Sequence, residues 1–117
     1  MTACAETQGS GSAPGEVIYL GIETRLLEQD LVNLRGTVRG ALTEEDAIRY
    51  AECAAAQYAL IRGFGFARQI RTTVETQGDI IRADAVYVIS ASLPDGIAKL
   101  DAEVVVADCK ENGIPTV

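Results

Sequence analysis

Residues 42–66 read LTEEDAIRYAECAAAQYALIRGFGF, which is the clearest helical pattern in the chain. Thr43 is suited to cap the start of a helix, Asp46 stands at the answering capping-box position, and Gly63 supplies a stop. Small and apolar residues recur at helical spacing, namely Ala47, Tyr50, Ala51, Ala54, Tyr58 and Ile61. Because half of this stripe is alanine, the helix axis can lie close to a sheet. The stretch therefore predicts one main helix packed on a sheet.

The chain before this helix alternates between apolar and polar residues. Residues 17–40 read VIYLGIETRLLEQDLVNLRGTVRG, which is typical of one long strand or of two strands separated by a turn at 28–30. Gly36 lies inside this pattern, so we expect a bulge or a close approach of the backbone there.

The chain after the helix also has strand character. Residues 67–92 alternate on both sides of TQGD at 76–79, which predicts a hairpin. LPDG at 93–96 predicts a turn, and IAKLDAEVVVADC at 97–109 reads as a final strand of a three-stranded meander. The predicted fold class is α+β, an antiparallel sheet of about four to five strands with one main helix on one face.

Composition excludes several classes of function. The net charge of −7 and the pI near 4.5 repel a phosphate backbone, so nucleic acid is not expected as a partner. The chain has no histidine, which removes the commonest general base and the commonest metal ligand. The sequence accordingly predicts no catalytic residue, no cofactor and no bound metal.

Three weaker patterns have simpler explanations. GFGFAR at 63–68 follows a helix, whereas a dinucleotide-binding loop follows a strand. Asp101 and Glu103 would share one face of the final strand, where solvation or cross-strand pairing explains them. The central hairpin carries three arginines, Arg68, Arg71 and Arg82, which could form an anion site. Alternation, however, places Arg68 and Arg71 on opposite faces of the strand.

The first residues, MTAC at 1–4, precede a Gly- and Ser-rich segment. MTAC resembles the lipobox of bacterial lipoproteins, and the layout as a whole is similar to small envelope lipoproteins of α-proteobacteria. The resemblance implies that Cys4 carries lipid and holds the domain at a membrane on the periplasmic side. The alternative is a cytoplasmic chain with a polar N-terminus. We therefore expect a flexible tether over 1–16 and a single α+β domain over 17–117.

The lipoprotein resemblance bears on the other two cysteines. With Cys4 used for lipid, Cys53 and Cys109 remain as a pair in an oxidising compartment, which predicts a disulfide that joins the helix to the last strand. In the cytoplasmic alternative the same two residues are small core side chains.

These features predict a non-enzymatic, lipid-anchored envelope domain that acts through protein–protein contact, as an accessory or assembly factor of a membrane complex. An open sheet face or a sheet edge would serve the partner. The alternative is a small-ligand-binding periplasmic module with its pocket between helix and sheet.

Overall fold

The computed structural model describes residues 17–40, 43–93 and 99–116. The elements are β1 (Ile18–Leu26), β2 (Leu31–Arg39), α1 (Glu44–Ile61), β3 (Phe66–Gln77), β4 (Ile80–Ser90), β5 (Lys99–Asp101) and α2 (Ala102–Glu111). This is an α+β fold with one five-stranded antiparallel sheet and one main helix, as predicted. The predicted tether with Cys4, and residues 94–96 of the predicted turn, lie outside the described residues.

The sheet has the strand order β1-β2-β4-β3-β5, and all neighbours are antiparallel. Residues 17–40 form two strands, β1 and β2, and the β3–β4 hairpin turns at Gly78, which has a φ of 63°. The predicted meander is wrong, because β5 pairs with β3 and the other neighbour of β4 is β2. These pairings join segments that are distant along the chain, so local patterns do not reveal them.

The predicted final strand is also wrong, because it ends after three residues and continues as α2. The Asp101 side chain accepts a hydrogen bond from the Val104 backbone N–H at 3.3 Å and so caps this helix. Asp101 and Glu103 therefore do not share the face of a strand. Buried Ala102, Val106 and Cys109 follow helical spacing, and they outweigh the strand preference of three consecutive valines.

Helix α1 begins after Thr43, but no side-chain hydrogen bond caps it, so the predicted capping box does not form. The first turn is stabilised instead by its acidic residues near the positive end of the helix dipole. Three consecutive alanines, Ala54, Ala55 and Ala56, are fully buried. None of the helices in the described part of the chain is long and apolar enough to cross a membrane.

The predicted close approach at Gly36 is confirmed, and α1 is the element that makes it. A Cβ atom added there would lie 3.0 Å from Ile22 Cδ1 and 3.1 Å from Tyr50 Cδ2. Tyr50 in turn packs edge-on against Tyr19, with ring centroids 4.8 Å apart. Glycine at this position therefore lets α1 settle on β2.

A disulfide joins Cys53 to Cys109, as predicted, with the two Cα atoms 6.1 Å apart. Both residues are buried. The bond connects α1 to α2 and not to a strand, because Cys109 lies on the second helix. An ion pair between Arg49 and Asp108, at 2.7 Å, spans the same two helices.

Candidate functional site

The two helices cover one face of the sheet, and we call the other side the open face. The pairing registers define which strand residues belong to it, because directly opposite residues share a face. Its charged members are Glu23, Arg25, Arg35, Arg39, Arg68, Arg71, Glu75, Arg82, Asp84, Lys99 and Asp101. Charged side chains are therefore the largest group on the open face, which also carries apolar residues such as Leu31, Val86 and Val88.

Charge is unevenly distributed over the molecule. The open face holds seven of the ten Lys and Arg residues, all of which lie in the described ranges, but only four of the fourteen Asp and Glu residues that those ranges contain. Its net charge is therefore +3, while the whole chain has a net charge of −7. A positive surface on an acidic protein favours encounter with a negatively charged partner surface.

A bulge in β3 brings Arg68 and Arg71 to the same face, so the prediction that they point to opposite faces is wrong. The register of β3 against β4 shifts between Gln69 and Arg71. The extra residue, Ile70, resets the alternation, and a local pattern of charged and apolar residues does not show this. Arg82 lies on the open face as well, opposite Glu75 in register.

Asp84 lies at the centre of the open face and organises the side chains around it. Asn33 Nδ2 donates hydrogen bonds to Asp84 Oδ1 at 2.7 Å and to the Ala85 carbonyl at 3.0 Å. Arg35 Nε donates to Asp84 Oδ2 at 3.2 Å, and Arg71 Nη1 donates to Asp84 Oδ1 at 3.4 Å. One carboxylate thus holds an amide and two guanidinium groups in defined positions.

The environment of Asp84 keeps it ionised. Partial burial raises the pKa of the carboxyl, but the hydrogen bond from Asn33 and the positive charges of Arg71 and Arg35 outweigh burial, so the pKa lies below its ordinary value. Asn33 itself is only 4% exposed, although it belongs to the open face. Its amide therefore depends on Asp84 and the Ala85 carbonyl for its hydrogen bonds.

Two surface depressions flank this cluster, and Arg35 and Arg82 line both. The smaller, of about 170 Å³, is completed by Thr73, Glu75 and Asp84. The larger, of about 310 Å³, lies toward β1 and includes Glu23 and Thr37. Neither depression lies between α1 and the sheet, where a small-ligand module would have its pocket, and that alternative stays a prediction.

Several cations of the open face form no ion pair with any residue of the described ranges. They are Arg25, Arg68, Arg82 and Lys99. The Arg82 guanidinium donates to Thr37 Oγ1 at 3.4 Å and otherwise lies exposed. The centre of the face is therefore internally paired, while its remaining cations are available to an anionic partner.

The helical side of the molecule carries a second group of titratable residues. Burial raises the pKa of Glu52 on α1. The positive charge of Arg49 lowers this pKa, while the nearby Glu45 and Asp108 carboxylates raise it, and the net shift is upward. Burial and the charge of Glu52 raise the pKa of the Tyr87 hydroxyl. Within residues 17–40, 43–93 and 99–116, no three Cys, Asp or Glu side chains are grouped as they would be to hold a metal ion.

The sequence-predicted residues and the open face overlap only in part. Cys53 and Cys109 lie buried on the helical side, so their bond supports the fold and does not contribute to the face. Sequence reasoning placed Arg35 on the uncovered face of the sheet but missed Asn33 and Asp84, which meet Arg35 only because β2 pairs with β4. The one available signal was Asn33, a polar residue between Val32 and Leu34 in an alternating strand.

Comparison with known proteins places the chain in a family. A curated relative from Paracoccus denitrificans, described as an "Uncharacterized 26.9 kDa protein in nqo8 5'region", is 31% identical over 85 residues. The alignment covers 73% of this chain and 33% of the relative, so the chain spans about a third of the relative's length. No solved structure matches. The sequence model of the YNQ4 C-terminal domain matches residues 19–113, from β1 to just past α2, and the chain therefore belongs to that family.

Proposed function

We propose that this chain is a non-enzymatic domain of the bacterial cell envelope that acts through protein–protein contact, as an accessory or assembly factor of a membrane complex. The open face is its contact surface. The observation that carries the proposal is the concentration of seven of the ten cations on this face, two of them held by Asp84, in a chain of net charge −7.

The arrangement of Arg35 and Arg71 suits a protein interface. Both guanidinium groups are already held by Asp84, so less side-chain freedom is lost when a partner binds. Arginine is enriched in protein interfaces because its planar head binds carboxylates in pairs of hydrogen bonds. The flat face with shallow depressions fits a partner surface better than a small substrate. The expected partner presents carboxylates toward Arg68, Arg82 and Lys99.

The proposed location rests on the MTAC motif and the Gly- and Ser-rich segment that follows it. A lipid on Cys4 would hold the domain at a membrane on the periplasmic side. The Cys53–Cys109 disulfide supports an oxidising compartment, because structural disulfides persist there and are rare in the cytoplasm.

The anchor is tested by the intact mass of the protein purified from its native host. We expect a mass increased by acyl chains on the peptide that contains Cys4, and a shift from the membrane to the soluble fraction for Cys4→Ser. A native protein with an unmodified Cys4 thiol would overturn the lipid anchor and leave the contact proposal standing.

The contact proposal is tested by affinity purification of the tagged protein from native membranes, with cross-linking before lysis. We expect the wild type to recover a membrane protein, and the double variant Arg68→Glu/Arg82→Glu to recover about tenfold less of it, because close interfacial charge pairs are replaced by repulsion. Lys110→Glu on the exposed side of α2 is the matched control and retains the partner. Equal recovery by all three proteins would contradict the proposal.

The name of the curated relative suggests where to look first in such a purification. It places that protein's gene in the 5' region of nqo8. The first candidates for the partner of the open face are therefore any homologue of the nqo8 product in the host and the proteins that copurify with that homologue.

A further inference from the structure

Strand β1 forms an edge of the sheet, since β2 is its one partner among the described strands. Apolar side chains are exposed along and just beyond it: Ile18 37%, Leu20 44%, Leu26 49% and Leu27 47%. The other free edge is the distal part of β3, because β5 covers only Phe66, Ala67 and Arg68. That edge begins at Gln69 and, apart from Ile70, which is 46% exposed, is mainly polar, with the sequence RTTVETQ over 71–77. An exposed apolar edge of nine residues is a site for pairing with another strand.

The first half of β1 is protected against such pairing, whereas the second half is not. The register against β2 shifts between Tyr19 and Gly21, so Leu20 forms a bulge, and Gly21 has a φ of 133°. Bulges interrupt the row of hydrogen-bonding groups that an added strand needs. Residues 22–26 remain as regular strand with an unpaired edge.

The charges of β1 select a second copy of the same strand as the partner and fix its register. In an antiparallel pair with the two-fold axis at Thr24, Glu23 of each copy lies opposite Arg25 of the other on the open face. Ile22 lies opposite Leu26 on the face toward the helices. An axis at Glu23 or at Arg25 would place like charges opposite each other, and an axis at Ile22 would bring the Leu20 bulge into the pair.

We propose that the protein forms a two-fold symmetric dimer by antiparallel pairing of β1 with β1 of a second copy, centred on Thr24. The pairing makes one ten-stranded sheet, with both open faces on the same side. It also pairs the regular half of this edge, which carries Leu26, and the two-fold interface is closed and adds no further copies. This inference does not depend on the proposed function, since it uses only Glu23 and Arg25 at the β1 margin of the open face and leaves Arg68, Arg82 and Lys99 to the proposed partner.

The first test places a thiol on the symmetry axis. Thr24→Cys and, as its matched control, Thr76→Cys are made in a Cys4→Ser background and treated with a short bismaleimide cross-linker. Both threonines are exposed, and Thr76 lies on the free edge of β3. We expect a covalent dimer from the Thr24 variant and about a tenth as much or less from the Thr76 variant, because only the axial pair has Cβ atoms within roughly 6 Å. Equal yields from the two variants would overturn the proposal.

The second test uses the charges, with the dissociation constant measured by sedimentation equilibrium. Glu23→Arg and Arg25→Glu each replace two attractive pairs by two repulsive ones, and we expect each to raise the dissociation constant at least about tenfold. The double variant Glu23→Arg/Arg25→Glu restores opposite charges across the axis, and we expect it to dimerise nearly as well as the wild type. Thermal melting followed by circular dichroism confirms that each variant is folded.

Either of two results would contradict the dimer. A wild type that sediments as a monomer at every concentration up to the solubility limit would exclude it. A double variant no better than the two single variants would exclude the register. Neither result changes whether Arg68→Glu/Arg82→Glu loses the membrane partner. The dimer and the contact proposal are therefore tested separately.

Discussion

Among single residues, Asp84 makes the most side-chain contacts on the open face, with Asn33, Arg35 and Arg71. Asp84→Ala leaves the buried Asn33 amide without one acceptor and removes the partner of two arginines. We expect the free energy of unfolding to fall by about 1–3 kcal/mol, measured by urea denaturation. The control is Asp79→Ala, because the Asp79 side chain is 70% exposed and lies 3.9 Å from Arg39. Its loss is expected to stay below about 1 kcal/mol, and equal losses would contradict the central role of Asp84.

The lowered pKa of Asp84 predicts a pH dependence of stability. A carboxyl whose pKa is lower in the folded state stabilises the fold at any pH above its unfolded value, which is about 3.9. This stabilisation is lost as the pH falls through the lowered folded value. The difference in unfolding free energy between wild type and Asp84→Asn should therefore be constant from neutral pH to about pH 5 and should shrink below about pH 4. A difference that grows toward low pH would contradict the assignment.

Gly36 tests the fit of α1 on β2. Gly36→Ala places a methyl group about 3 Å from Ile22 and Tyr50, and Tyr50 is held by its contact with Tyr19. We expect a loss of about 1–3 kcal/mol in a urea unfolding experiment, because added volume in a packed core forces its neighbours to shift. Gly65→Ala is the control, since nothing lies within 4 Å of the added methyl. A stable Gly36 variant would show that the contact is loose.

Single residues could be interpreted from the sequence where the reason was local. The close approach at Gly36 follows from a glycine inside an alternating strand, but its neighbours Ile22 and Tyr50 depend on the tertiary fold. The pairing of Cys53 with Cys109 followed from counting cysteines after the lipoprotein resemblance was accepted. The Asp84 cluster was not predictable, because the pairing of β2 with β4 joins residues about fifty positions apart along the chain.

At the scale of elements, α2 shows how competing local signals are decided. Its valines favour a strand, whereas the Asp101 cap and the helical spacing of Ala102, Val106 and Cys109 favour a helix. The disulfide and the packing of α2 on α1 agree with the helical signals. The β3–β4 hairpin was predictable because its turn residues lie together in the sequence, while the β3–β5 pairing was not.

The disulfide should dominate the stability of α2. Cys53 and Cys109 are separated by 56 residues, and a loop of that length corresponds to about 4 kcal/mol of stabilisation. We expect the reduced protein and Cys53→Ala/Cys109→Ala to lose a comparable amount in urea unfolding. Hydrogen exchange should quicken in α2 before it quickens in α1, because α2 keeps only the Arg49–Asp108 pair and its remaining packing. Uniform exchange in both helices after reduction would contradict this order.

At the scale of the whole molecule, the distribution of charge matters more than its total. The net charge of −7 is a property of the sequence, but the net charge of +3 on the open face depends on strand order and on the bulge at Ile70. Composition alone therefore describes the molecule as uniformly acidic, while the fold gives it a positive face and a negative side. This asymmetry underlies the proposal that the protein acts through contact with an acidic partner surface.

Site-specific photo-cross-linking in the native host tests this claim most directly. A photoreactive amino acid is introduced at Thr73, which is exposed on the open face, and in a second strain at Glu111, which is exposed at the end of α2. We expect a cross-link from position 73 to a membrane-complex protein and none from position 111. We also expect Arg68→Glu/Arg82→Glu to abolish the cross-link. A cross-link to the same protein from position 111 alone, or no cross-link from position 73, would contradict the open face as the contact surface.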